Sequence, residues 1–202
     1  MWITWKHQDS QLSWPLGFEQ KVELFYEQTL GWQLHIADLV ANGGTAFGEE
    51  GRRQGNAACA IRHSGFAVLQ ICLSYFETIG YYTGTPTGSK AAFRAGVANV
   101  FPDLAGADPG VAAGFIDALY QDARNGLYHN VRTARVGLGW PPEPSPAAYD
   151  SASGRVMLNP ERLPKALKVH LEKFRAALLD ETNRELRKSF EDRFDKDAGA
   201  AA

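Results

Sequence analysis

The stretch from Phe66 to Tyr82 is apolar on most faces of a helix, interrupted by Gln70, Ser74 and Glu77. A helix that is apolar almost all round has to be enclosed by other elements. Its spacing predicts a helix from about Ala57 to Tyr82, the most buried element of a bundle, with Ile61, Phe66, Leu69, Cys72, Leu73, Phe76 and Ile79 facing inward. The polar interruptions argue against a membrane span. A chain of 202 residues, 45% hydrophobic and 22% charged, has the composition of one soluble domain with a sizeable core.

The flanking segments read mainly as helices. Phe18, Val22, Phe25, Thr29, Trp32, Ile36 and Leu39 recur at intervals of three and four, which predicts a helix from Phe18 to about Val40, ended by Asn42-Gly43-Gly44. Gly48 to Asn56, with Arg52 and Arg53, reads as a mobile loop. After a turn at Gly84 to Gly88, Ser89 is placed to cap a short helix from Lys90 to about Val100, stopped by Phe101-Pro102. Asp108-Pro109 is a helix start, a capping side chain followed by proline, and Val111, Phe115, Leu119 and Ala123 continue as an apolar stripe. Val131 to Val136 alternates and Arg155 to Leu158 is a second extended candidate, with the proline-rich Trp140 to Pro146 loop between them. Asn159-Pro160 opens a last helix whose stripe is Leu163, Leu167, Leu171, Phe174 and Leu178, with His170 beside it as a packing histidine. The expected architecture is all-α: an arm over residues 1–17 carrying Trp2, Trp5 and Trp14, a helical domain over 18–194 with room for a small β-hairpin before the last helix, and a disordered tail over 195–202.

Net charge and cysteine content narrow the function. A formal charge of −2 and a pI near 6.2 provide no global attraction to nucleic acid, so any RNA contact needs a local basic surface. Cys59 and Cys72, thirteen apart on one predicted helix, would stand about 20 Å apart and cannot bridge each other. Both read as buried small apolar residues suited to a reducing cytoplasm, and no N-terminal apolar run suggests a secretion signal. His35 with Asp38 is the one tidy His-x-x-acid pair, and metal sites on bundles come in repeated sets, so no metal and no cofactor is expected.

The chemistry concentrates in Arg124-Asn125-Gly126-Leu127-Tyr128-His129. Arginine stays charged and grips two phosphate oxygens through its planar fork. Histidine titrates near neutrality and can take or give a proton. Asn125 can position a phosphate or fix the imidazole tautomer. On a regular α-helix Arg124 and His129, five apart, point about 140° away from each other. Either Gly126 distorts the turn, or a second copy completes the site across a two-fold axis. The plainer reading is a capping arginine, an Asn-Gly turn and a surface histidine.

This hexapeptide resembles the R-x(4–6)-H motif of the HEPN ribonucleases, in which a polar residue commonly follows the arginine. The likeness extends loosely over roughly residues 57 to 180, through Phe76 to Tyr82, Gly88-Ser89-Lys90, Phe93-Arg94, Gly96, Val100-Phe101-Pro102 and Leu158-Asn159-Pro160. It implies a helical bundle that dimerises with its motifs facing and cuts RNA without a metal, the 2′-hydroxyl attacking the adjacent phosphate. Arg124 would stabilise the transition state, His129 would act as general base or acid, and Asn125 would orient substrate or imidazole. Tyr128, Lys90, Arg94 and Arg132 would contact RNA. Bacterial use of the family implies a toxin or antiviral effector with a cognate antitoxin or inhibitor, and the family also holds members that bind without cleaving.

Two residues outside the motif carry alternative readings. Glu77, an acid among large apolar residues, needs a partner: Arg94 or Lys90 in an ion pair, or the active site as a supporting group. Lys90 and Arg94, four apart, form either a solvated face or a phosphate track leading to Arg124.

Overall fold

The length and apolarity of the Phe66–Tyr82 segment are answered by a layer of helices on each side of it. The structure, a computed structural model, describes residues 3–47, 53–105, 108–126 and 133–199. Helices α1 (Phe18–Thr29) and α2 (His35–Asn42) are joined without a break by a π-helical turn, Leu30–Leu34. A two-stranded antiparallel sheet follows, β1 (Gly44–Phe47) with β2 (Arg53–Ala58). The central helix α3 (Gly65–Tyr82) buries Val68, Leu69, Cys72, Leu73, Tyr75, Phe76 and Ile79. Next come α4 (Ser89–Val100), a single turn α5 (Pro102–Ala105), and α6 (Pro109–Ala118), which runs into a second π-helical segment, Leu119–Asn125. Strands β3 (Val136–Leu138), β4 (Ala147–Asp150) and β5 (Arg155–Leu158) precede α7 (Leu163–Leu179) and α8 (Arg184–Gly199).

The molecule is therefore mostly helical, and its departures from the expected layout have local causes. Trp32 and Ile36, placed on the buried stripe by their spacing, are instead exposed, while Leu34 and Ala37 are buried. The π turn holds one extra residue, and one residue of slip rotates the following face by about 100°. The central helix begins at Gly65 rather than near Ala57, because Arg53–Ala58 is a strand; Ile61 is exposed, and Cys59 is exposed and off the helix, while Cys72 is buried as expected. The loop expected over Gly48 to Asn56 is thus strand from Arg53 onward, its earlier part lying outside the described residues.

The insertion before α7 is a three-stranded sheet and no simple hairpin. Of the two expected strand segments, Arg155 to Leu158 forms β5, whereas Val131 to Val136 reaches strand only at Val136, where β3 begins, its first two residues lying outside the described residues. Strands β3 and β5 pair in parallel, and β4 adds an antiparallel edge in the order β3-β5-β4. The chain is also helical from Asp195 to Gly199, within the expected disordered tail, whose last three residues lie outside the described residues. Phe190 and Phe194 are buried; Phe190 packs against Phe25 and Tyr82, and Lys21 pairs with Glu191 and Asp195 at 2.8 Å. At the N-terminus, Thr4 Oγ1 donates to the buried Glu27 carboxylate at 2.8 Å and Lys6 Nζ approaches it at 2.9 Å, pinning the arm to α1.

Helices α3 and α4 touch backbone to backbone. A Cβ at Gly80 would overlap the Ala92 carbonyl, and one at Gly96 would overlap the Phe76 carbonyl. Replacing a helical glycine with alanine gains about 1 kcal/mol in propensity. Overpacking against main chain outweighs that gain. Gly96→Ala is expected to lower the unfolding free energy by about 2 kcal/mol, measured as a shift in the urea midpoint.

Candidate functional site

The close α3–α4 contact places Glu77 beside the start of α4. The Ser89 hydroxyl donates to one Glu77 carboxylate oxygen. This differs from the expected capping role of Ser89; Gly88, at φ 118°, occupies the N-cap, a left-handed conformation that favours glycine. The other Glu77 oxygen accepts from Arg124 Nη2 at 3.2 Å. Neither Arg94 nor Lys90 is the partner of Glu77, as the ion-pair reading expected. Both turn to Asp117, with Lys90 Nζ at 3.9 Å and Arg94 closer, and Lys90 also lies over the Tyr120 ring.

Arg124 is delivered by a helix with a well-defined start. Asp108 Oδ1 accepts from Gly110 N at 2.8 Å and Val111 N at 3.4 Å, and Pro109 takes the first helical position. Phe115, Leu119 and Ala123 are buried as the stripe predicts, while Val111 is only partly covered. Over Leu119–Asn125 the helix widens to the π form, a deviation that recurs at functional sites. The amide of Gly126 bonds the Gln121 carbonyl, so the distortion expected at Gly126 lies in the turn preceding it. Asp117, Tyr120 and Arg124 lie at spacings of three and four on the side toward α4, so the Lys90 and Arg94 cations flank the same ridge as Arg124.

After the motif the chain returns to another side of the same helical segment. Asp122 Oδ2 accepts from the Arg135 amide at 2.9 Å and from Arg135 Nε at 2.8 Å. Arg124, Asn125 and Gly126 thus lie on described structure, with Asn125 half-buried at the end of the π segment. Tyr128, His129 and Arg132 lie outside the described residues. The Glu77–Arg124 pair, 47 positions apart in the chain, agrees with the reading of Glu77 as a supporting group for the motif, while the Asp122–Arg135 clamp has no counterpart among the expectations. The acid among large apolar residues is the signal for the pair.

Arg124 keeps 31% of its side-chain surface exposed and Glu77 20%. Such a pair contributes modestly to stability. Its stronger effect is to hold the guanidinium fork in one orientation while leaving part of it open to a ligand.

His170 is a packing histidine on α7. Its ring bonds Tyr75 Oη at 2.7 Å through Nδ1 and Asn99 Oδ1 at 2.9 Å through Nε2. Burial, reinforced by the Lys173 charge, lowers its pKa to about 4. Asp38, the acid of the His35 pair, binds Lys168 at 2.7 Å. Among the described residues no group of three or more His, Cys, Asp or Glu side chains is arranged to hold a metal ion, and no helix is long and apolar enough to cross a membrane. Comparison with family models, curated proteins and solved structures finds no match for this chain.

A double-mutant cycle of Glu77→Gln and Arg124→Gln is expected to give a coupling of about 1 kcal/mol in urea unfolding. For His170 the folded pKa lies below the ordinary 6.5, so its neutral form favours folding. That contribution is complete above pH 6.5 and fades as the pH falls toward 4. In an NMR titration the His170 ring should remain neutral at pH 5.5, and a midpoint near 6.5 would contradict its buried placement.

Proposed function

We propose that this chain is a metal-independent endoribonuclease of the HEPN type, acting as a homodimer on RNA. The observation that carries the reading is Arg124 itself: a guanidinium oriented by Glu77, partly open to solvent, at the end of a π-helical turn and at the start of the Arg124-to-His129 motif.

In the reaction, the 2′-oxygen bonds to the adjacent phosphorus while the bond from phosphorus to the 5′-oxygen breaks. Negative charge builds on the non-bridging oxygens, where Arg124 supplies a fixed positive fork. The neutral His129 imidazole accepts the 2′-hydroxyl proton. A protonated imidazole, contributed by the second copy in a two-fold pair, gives a proton to the leaving oxygen. Asn125 orients the phosphate or the ring. The products are a 2′,3′-cyclic phosphate and a 5′-hydroxyl. On this reading Glu77 positions Arg124, and Lys90, Arg94, Tyr128 and Arg132 contact the strand. The setting would be the cytoplasm, as a toxin or antiviral effector held by a cognate antitoxin or inhibitor.

The salt bridge also favours a second reading. A carboxylate beside Arg124 repels phosphate oxygens, which suits a non-catalytic module that binds RNA, a nucleotide or a protein partner.

Wild-type protein in excess chelator is expected to cleave a mixed RNA substrate and leave 2′,3′-cyclic phosphate ends. His129→Ala and Arg124→Ala should each reduce the rate by about 10²-fold or more. Binding without cleavage by the wild type would favour the non-catalytic module.

A further inference from the structure

Glu77 and Tyr81 are four residues apart, on one face of α3, with Cβ atoms about 6 Å apart. Tyr81 opens onto a groove of about 790 Å³ between the α3–α4 turn and α8. Gly88 lines the same groove and is joined to Ser89, whose hydroxyl binds Glu77. The groove therefore adjoins the residue that binds Glu77.

Its walls carry the chemistry of a single strand. The Arg193 guanidinium lies 4.4 Å over the Tyr81 ring, with its Nε bonded to Asp197 at 2.9 Å. Stacked guanidinium and aromatic planes are the surfaces on which unpaired bases rest. Lys188 and Lys196, both exposed, are eight residues apart on α8 and about 12 Å apart along its axis, on one face. Glu185 and Asp192 also line the groove and Asp197 holds Arg193, so its three cations stand against three carboxylates. With no net excess of charge, phosphate binding depends on both lysines. Open space at Gly84 and Gly88 leaves the turn's backbone accessible to a ligand.

We infer that this groove holds the single-stranded RNA flanking the scissile phosphate, Tyr81 with Arg193 stacking a base and Lys188 with Lys196 contacting phosphates. The assignment rests on the ribonuclease reading for the register of the strand, and its test separates the two. Fluorescence anisotropy with a labelled single-stranded RNA, using the His129→Ala protein so that the probe survives, would be run at several salt concentrations. Adding Lys188→Glu with Lys196→Glu should weaken binding at least tenfold and reduce the salt slope by about 1.4, two phosphate contacts at about 0.7 each. Lys165→Glu with Lys173→Glu, an equal charge change on α7, should leave affinity within twofold.

No binding by the His129→Ala protein, unchanged binding by the groove variant, or equal weakening by both charge changes would overturn the assignment. Wild-type cleavage is measured alongside. Cleavage with an unchanged KM in the groove variant removes the groove and leaves the ribonuclease reading standing. Selective loss of binding in a protein that never cleaves keeps the groove and removes the catalytic reading.

Discussion

The contact on which the candidate site depends is the backbone approach of α3 and α4 at Gly80 and Gly96. With side chains at those positions the two helices would stand farther apart. Glu77 would then lose Ser89, which sits on the first turn of α4. The same approach packs Phe76 against Phe93, and Phe93 against Tyr120 on the π-helical segment. Main-chain packing, aromatic packing and the carboxylate thus jointly fix where Arg124 can lie. The link from sequence to site runs through two glycines that contribute no chemistry of their own.

Around the motif, each basic group on described structure meets an acid: Arg124 meets Glu77, Lys90 and Arg94 meet Asp117, and Arg135 meets Asp122. Partly exposed pairs of this kind contribute about 1 kcal/mol or less each. They aim cations more than they stabilise the fold. An oriented guanidinium loses less side-chain freedom when a phosphate arrives, and that offsets part of the repulsion from the neighbouring carboxylate. The balance suits a chain of slight net negative charge whose proposed RNA contacts have to be local.

Helices with a regular apolar period and conventional ends were legible in the sequence: the first turns of α1, the span of α4, the Asp108-Pro109 start of α6 and the stripe of α7. The π turns were not, since a one-residue slip leaves no mark of its own in composition; Trp32 and Ile36 suit a regular stripe until the turn at Leu30–Leu34 rotates them outward. Helix α8 was not resolved as an element of its own, and its end past Asp195 reads as a tail, because its apolar content is confined to Phe190, Phe194 and Leu186 among many charges until the aromatic cluster of Phe25 and Tyr82 receives it. Strand β4 was missed for a similar reason: Ala147–Asp150 is short and follows a proline-rich loop, and only pairing with β5 makes it a strand. At the site, the arginine and the need of Glu77 for a partner were legible. The choice between the two readings of that partner, the α4 cations or the motif, was not, because the contact that decides it is tertiary and joins residues 47 positions apart.

On the proposed ribonuclease function, Glu77 positions Arg124 for catalysis on RNA. The most direct test of that role is single-turnover cleavage at saturating RNA, in excess chelator, by wild type and Glu77→Gln. The rate of Glu77→Gln should be at least tenfold lower with little change in RNA affinity, because the charge of Arg124 remains while its orientation is lost. Equal rates for the two proteins at saturation, or no cleavage by the wild type, would contradict it.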